Sequence, residues 1–365
     1  MNRREFSKMT GISLLALQSV PMAASSRIFN AEEKGSRIIP LGVANHSLRA
    51  MRPTAGELIE FAITHKLDSV QFNTLTVFES FEKKYLAGLK ELAHANEISI
   101  YVGVGSICES SLRYSDRFGN ASELLETGIK TASALDSPIV GVRIGNLEDR
   151  YTEGGIQVKI ESVIKLMKSF AGPVLDAGIK FAFENHAGDM RSEELLILMK
   201  ETGTDICGAF FDPGNAIYAM EDPKQAMQAL GEYILCSQAR DVVIWPAEDG
   251  AVFQWTAVGE GMMDFKFYTD FLRENCPGVP IQIETISNSP RSIPYLKDEY
   301  WEGFPDLKAE GIIDFLKLVR KGNPIDVAAA PEGMDKKLFD IENQKGELLR
   351  SIRYLKKECS AGIKK

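Results

Sequence analysis

Phe181-Ala182-Phe183-Glu184-Asn185-His186-Ala187-Gly188-Asp189 is the stretch that decides the fold. An apolar run stops abruptly in a carboxylate, an amide and an imidazole, and a glycine then turns the chain. A short apolar run bounded by a turn signal reads as a strand buried on both faces. Polar groups at its carboxyl end read as one wall of a site. Three later runs end the same way, at Asp212, Gln238 and Glu284.

Outward from this stretch, short apolar runs alternate with longer amphipathic ones. Strands are expected at 38–44, 69–72, 98–104, 138–144, 179–184, 206–212, 233–238 and 281–284. Helices are expected at 54–65, 78–96, 121–135, 155–177, 192–202, 223–230, 264–275 and 307–319, the first capped by Thr54. Eight such alternations indicate a parallel sheet with crossover helices. Their span, roughly 285 residues, suits an α/β fold of the (β/α)8 TIM-barrel type. A doubly wound open sheet would want a glycine-rich phosphate loop after its first strand, and Leu41-Gly42-Val43-Ala44-Asn45-His46 lacks G-x-G-x-x-G.

Two connections exceed what a bare barrel needs. Residues 242–263 carry Trp245, Phe253 and Trp255, and residues 285–305 carry Tyr295, Tyr300, Trp301 and Phe304. Aromatic content argues against disorder. These rings either line a substrate, Trp255 foremost, or pack the loops onto the barrel rim. Beyond residue 321, a linker leads to Leu338, Ile341, Gln344, Leu348, Ile352 and Leu355 at helical spacing. The expected organisation is a catalytic barrel over 37–321 and a linker with a C-terminal helix over 322–365. That helix packs on the barrel exterior or on a second subunit, so a homo-oligomer is one expectation.

Composition narrows the partners. Of 365 residues, 44% are hydrophobic and 25% charged, values ordinary for a soluble globular chain. A formal net charge of −9 without a basic block argues against nucleic acid as a ligand. Cys108, Cys207, Cys236, Cys276 and Cys359 form no C-x-x-C pair, so neither a disulfide framework nor a zinc ribbon is indicated. At the N-terminus, Asn2-Arg3-Arg4-Glu5-Phe6-Ser7-Lys8 precedes an apolar run over 11–20 and small residues over 21–26. This layout reads as a twin-arginine signal over 1–26 and export to the periplasm. The run is about half of the ~20 residues a bilayer span requires, and no integral membrane span is expected elsewhere.

In a barrel of this class, side chains at the carboxyl ends of the strands build the active site. Glu184, Asp212, Gln238 and Glu284 hold that position on four consecutive strands. Three crowded carboxylates repel one another unless they share protons or a cation neutralises them. An all-oxygen set of three carboxylates and an amide favours a hard divalent ion, Mn2+ or Mg2+ before Zn2+ or Co2+. The competing reading is a salt-bridge network with Arg143 and Arg240 at the same rim. His46, Asn73 and Arg143 follow the first, second and fourth strands and are candidates by position. His65 and His94 fall on helices at the periphery.

Five motifs then carry a resemblance: Glu184-Asn185-His186, Phe211-Asp212-Pro213-Gly214-Asn215, Gln238-Ala239-Arg240-Asp241, Val258-Gly259-Glu260-Gly261 and Ile283-Glu284. In this order they resemble the xylose-isomerase-like TIM-barrel superfamily, which contains sugar phosphate isomerases and epimerases, dehydratases and AP endonuclease family 2-like nucleases. The resemblance covers most of 38–320. It implies that Glu184, Asp212, Gln238 and Glu284 hold one divalent metal, and that Glu184 and Glu284 exchange protons with carbons on opposite faces of a bound sugar. His186, Asn215, Arg240 and Glu260 are then substrate or supporting contacts. One motif departs from the pattern. The family's third position usually reads His-x-Lys-Asp, and Gln238 in place of imidazole lowers the expected metal affinity. Arg240 in place of lysine offers a planar fork where an ammonium is a point charge.

The resulting expectation is a metal-dependent isomerase or epimerase of a small carbohydrate or keto-sugar, working through an enediolate. A lyase or dehydratase acting on a keto-sugar or cyclitol, and a carbohydrate-binding barrel without catalysis, are the alternatives. The nuclease branch needs many histidines, and this chain has four.

Overall fold

Residues 38–286 and 288–364 are described by a computed structural model; the expected signal over 1–26 lies outside the described residues. The barrel strands are β1 (Leu41–Ala44), β2 (Ser69–Phe72), β3 (Ser99–Ser106), β4 (Ile139–Arg143), β5 (Lys180–Glu184), β6 (Cys207–Phe211) and β7 (Ile234–Ala239). Two further strands, β8 (Asp241–Ala247) and β9 (Gly250–Thr256), precede the last barrel strand β10 (Ile281–Ile283), and β11 (Arg291–Ile293) follows it. Parallel pairing closes the barrel in the order β1-β10-β7-β6-β5-β4-β3-β2, with Leu41 opposite Ile281 at the seam. The fold is the expected (β/α)8 barrel.

The helices are α1 (Ala55–Thr64), α2 (Lys83–Ala95), α3 (Ala121–Ala134), α4 (Gly155–Ser169), α5 (Ala171–Ala177) and α6 (Ser192–Thr202). They continue with α7 (Pro213–Tyr218), α8 (Pro223–Leu230), α9 (Phe265–Asn275), α10 (Ile313–Val319) and α11 (Lys336–Glu358). Thr54 caps α1 in a reciprocal capping box with Glu57. The single helix expected over 155–177 is broken at Phe170 into α4 and α5. That expected at 78–96 begins only at Lys83.

Side chains along each strand alternate between the barrel interior and the helix layer. Phe181, Phe183 and Phe211 join the main core between barrel and helices. Ala182, Phe210 and Cys236 form a separate inner cluster with Ile139. Two residues further on, Glu184, Asp212 and Gln238 fall in the next inward tier. On β10, Gln282 points inward and donates to Ser69 Oγ at 2.9 Å, which sets Glu284 in the same tier. Gly42 faces this pair, and any side chain there would collide with Gln282 and Ser69.

The long connections are more ordered than loops. β8 and β9 form an antiparallel hairpin with Ala247 opposite Gly250, and β11 adds a third strand beside β9. Val242, Ile244, Phe253 and Trp255 pack under this sheet with Tyr300, Phe304, Phe315 and Val319 in a second core. The C-terminal helix is present, and Leu348, Ile352 and Leu355 of α11 lie in the main core. α10 packs under the hairpin sheet, and α11 lies beside β10 and the short turn after β1.

Candidate active site

Paired amides lock two neighbouring strand ends together. Asn185 accepts from the Asp212 N–H and donates to the Asp212 carbonyl, both at 2.8 Å. Asp212 caps α7, accepting from the N–H groups of Gly214 at 2.8 Å and Asn215 at 3.2 Å, with Pro213 in the first turn. Asn215 then turns back into the barrel, and its Nδ2 donates to Asp212 Oδ2 at 2.8 Å and to Glu184 Oε1 at 3.4 Å. A cap, a proline and an amide pair therefore fix the carboxylates before any ligand is considered.

Glu184, Asp212 and Glu284 converge so that one oxygen from each lies within 4.8 Å of the others, and all three are buried. Arg240 sits among them. Its Nη1 lies 3.1 Å from Asp212 Oδ2 and donates to Asn215 Oδ1 at 3.1 Å. Its Nη2 pairs with Glu284 and reaches Gln238 Oε1 at 3.5 Å. Gln238 itself is fully buried, and its Nε2 has no hydrogen-bond partner. Arg143 faces Glu184 from β4, with Nη1 at 3.9 Å from Oε2, and Asn73 Nδ2 donates to Glu284 Oε1 at 3.3 Å.

These surroundings drive the two glutamates apart. Burial raises Glu184 well above the ordinary carboxylate range, and the Glu284 charge raises it further against the pull of Arg143. Burial also acts upward on Glu284, but Arg240, His46 and Arg143 together outweigh it and leave that group below its ordinary value. Asp212 is pushed up to about 6, by burial first, with Arg240 pulling the other way. One carboxyl favours its proton and its neighbour favours ionisation, the division that general acid–base catalysis requires.

The other expected site residues separate. His186 is held by its Nδ1 at 2.5 Å from the Gly145 carbonyl, and burial with the Arg143 charge keeps it neutral well below its usual pKa. His46 is exposed to solvent yet surrounded by protein, as a side chain lining a recess is; burial lowers its pKa while Glu284 opposes. Trp255 is buried on β9 against Tyr218 and Phe253, and its ring centre lies 5.1 Å from the Arg240 guanidinium carbon. It supports Arg240 where a substrate contact was expected.

Glu260 is a correction. Its carboxylate is exposed and pairs with Arg350 of α11, at 2.5 Å from Nε and 3.2 Å from Nη2. The turn around it folds onto Asp241, which accepts from Val242, Gly259, Gly261 and Met263 at 2.8–3.0 Å. With the flanking glycines against Asp241, the residue between them points outward. Asn73 and Arg143, weak candidates by position alone, line a small cavity with Glu184, Gln71 and Phe210. Asn185, named above only within a motif, holds two strand ends in register.

The donor chemistry suits a hard divalent ion, since three carboxylates and an amide are all oxygen donors. Oxygens of Asp212, Glu284 and Gln238 already face the Arg240 fork, so an ion and the guanidinium compete for these residues. The sequence profile of the xylose isomerase-like TIM barrel matches residues 58–359. The chain belongs to that family. Its match to a curated protein is shorter: 25% identity over 146 residues to the uncharacterized protein YihM of Escherichia coli (strain K12). That match covers 39% of this chain and 44% of YihM, less than half the relative's length. Among solved structures, a xylose isomerase domain protein from Planctomyces limnophilus superposes with a TM-score of 0.53 at 17% identity, covering 78% of this chain and 98% of the other. D-psicose 3-epimerase with D-tagatose from Clostridium cellulolyticum H10 gives a TM-score of 0.53 at 16% identity, covering 87% and 99%. At such identities the likeness is one of fold.

Proposed function

We propose that this chain is an isomerase or epimerase of a small carbohydrate or keto-sugar, moving a proton between substrate carbons through Glu184 and Glu284. The observation that carries the reading is the pair itself: two buried glutamates at one point, one driven toward its protonated form and one toward its ionised form. Glu284 removes the proton next to a carbonyl to give an enediol-type intermediate, and Glu184 delivers its own proton to the other face or to the adjacent carbon. The first outcome is epimerisation; the second is isomerisation, in which the hydroxyl proton also passes to the former carbonyl oxygen. Loss of a β-hydroxyl from the same intermediate would make the enzyme a lyase.

The recess decides how a sugar would bind. Arg143, Asn73, His46 and His186 are the polar groups at or near it that retain some exposure, and Arg143 is the cation best placed to meet a carbonyl oxygen. Glu184, Asp212, Gln238 and Glu284 offer the oxygens a divalent ion would take, but Arg240 already engages three of these four residues, so no step here is routed through an ion. The family's sugar epimerase neighbour agrees with a carbohydrate substrate. Incubation with aldo- and keto-sugars in D2O, with and without Mn2+, tests the reading. Deuterium should enter the carbon next to the carbonyl; an active preparation that converts a sugar without it has another mechanism.

The N-terminal pattern supports export through the twin-arginine route. Fractionation of cells carrying the chain with Arg3 and Arg4 replaced by lysine should shift it from periplasm to cytoplasm, and an unchanged distribution would end that proposal. Among the described residues no helix is long and apolar enough to cross a membrane.

A further inference from the structure

We infer that Arg240 is the resident cation of the carboxylate cluster and excludes a divalent ion from it. The inference rests on the geometry of the cluster and stands whether or not the chain is a sugar isomerase. A guanidinium presents a planar fork of donors, and here both of its terminal nitrogens are engaged: Nη1 on Asp212 and Asn215, Nη2 on Glu284 and Gln238. Three of the four residues that would ligate an ion are therefore bound already to one positive group. An ion would have to displace that group or share the space with it.

Displacement is opposed from three sides. Arg240 is the single residue between β7 and β8, where the chain leaves the barrel and enters the hairpin, so two sheets hold its backbone. Its side chain is only 4% exposed, so leaving the cluster means moving a buried group through packed surroundings. Trp255 covers it from β9, with the guanidinium carbon 5.1 Å from the ring centre. Sharing is opposed by charge, because a divalent ion a few ångströms from a buried guanidinium meets repulsion that little water screens. Gln238 fits this arrangement. Its amide oxygen accepts from Arg240 at 3.5 Å without adding positive charge.

Binding of Mn2+ alone tests the inference, with no sugar present and no turnover read. The full chain, dialysed against chelator, is titrated by calorimetry and by loss of the free Mn2+ resonance signal. Wild-type protein should show no stoichiometric uptake at micromolar Mn2+, and Arg240→Met should bind one ion at least about 100-fold more tightly, a conservative allowance for removing one adjacent unit charge. Arg240→Met also strips Asp212 and Glu284 of their cation, so Mn2+ should raise its thermal midpoint while leaving that of the wild type unchanged. One Mn2+ bound per wild-type chain at micromolar concentration overturns the inference even if the variant fails to fold. So does a folded Arg240→Met that binds no more tightly than wild type.

Discussion

At the scale of single residues, the central feature is the opposite drift of two glutamates. Glu184 is raised by burial and by the Glu284 charge, while Arg240 and its neighbours hold Glu284 down. A carboxyl raised on folding stabilises the protein fully below its unfolded value near 4.5 and loses that contribution as pH rises through the folded value. Glu284 has the reverse sign: its contribution is present above the unfolded value and lost as pH falls through the folded one. Asp212, pushed up to about 6, adds to the loss on the rising side. In chelator, unfolding free energy of the wild type should therefore fall as pH rises from the unfolded carboxylate range through about 6, the folded value of Asp212, and Glu184→Gln should flatten that fall. An unchanged slope would take the proton away from Glu184. Glu284→Gln should abolish turnover with the fold intact, and wild-type-like activity in that variant would end its assignment as base.

At the scale of elements, the hairpin sheet shows how a motif can mislead. Val258-Gly259-Glu260-Gly261 looks like a loop that presents a glutamate, but its organiser is Asp241, whose carboxylate takes four backbone N–H groups. Asp241→Ala leaves those donors without an acceptor and should cost about 3 kcal/mol. Glu260→Ala removes one exposed ion pair and should cost about 0.5 kcal/mol with activity retained. Urea unfolding of both variants beside an activity assay checks this, and loss of activity in Glu260→Ala would return that residue to the site. The barrel strands were legible because burial on both faces writes them as apolar runs. The hairpin was not, although Asp249-Gly250 between two apolar stretches is a turn signal. Its first strand follows β7 after Arg240 alone, with no glycine, proline or asparagine to mark where the chain changes sheets. The carboxylates were legible from strand register for the same reason as the strands. Arg240 at the same rim was legible as the salt-bridge alternative, but which carboxylates its fork takes was not, because a long side chain's direction depends on neighbours on other strands such as Trp255.

At the scale of the whole molecule, the C-terminal helix occupies ground that a shorter chain would leave open. α10 packs under the hairpin sheet, where Phe315 and Val319 join the second core. α11 instead packs beside β10 and β1, linking the two ends of the barrel strand. Its Gln344 accepts from the Ala50 N–H at 2.8 Å beyond one end of β1, and Gly362, just past the helix, donates to the Ile39 carbonyl at 2.8 Å beyond the other. Ser351 accepts from the Val258 N–H at 2.9 Å, which ties the turn around Glu260 to the same helix. Spacing alone revealed the helix but could not say where its apolar face goes, since the same stripe suits a barrel wall or a second subunit. The burial of Leu348, Ile352 and Leu355 within one chain answers that. Leu348 is fully buried and Leu338, on the same helix, is half exposed. Leu348→Ala should lower unfolding free energy by about 2–5 kcal/mol, the range for an aliphatic deletion in a packed core, and Leu338→Ala should change it by less than about 0.5 kcal/mol. Both are read by chemical denaturation at a protein concentration varied tenfold. If Leu348→Ala were as mild as Leu338→Ala, the helix would be an appendage rather than part of the barrel wall. If its cost instead depended on protein concentration, the stripe would be packing against a second copy.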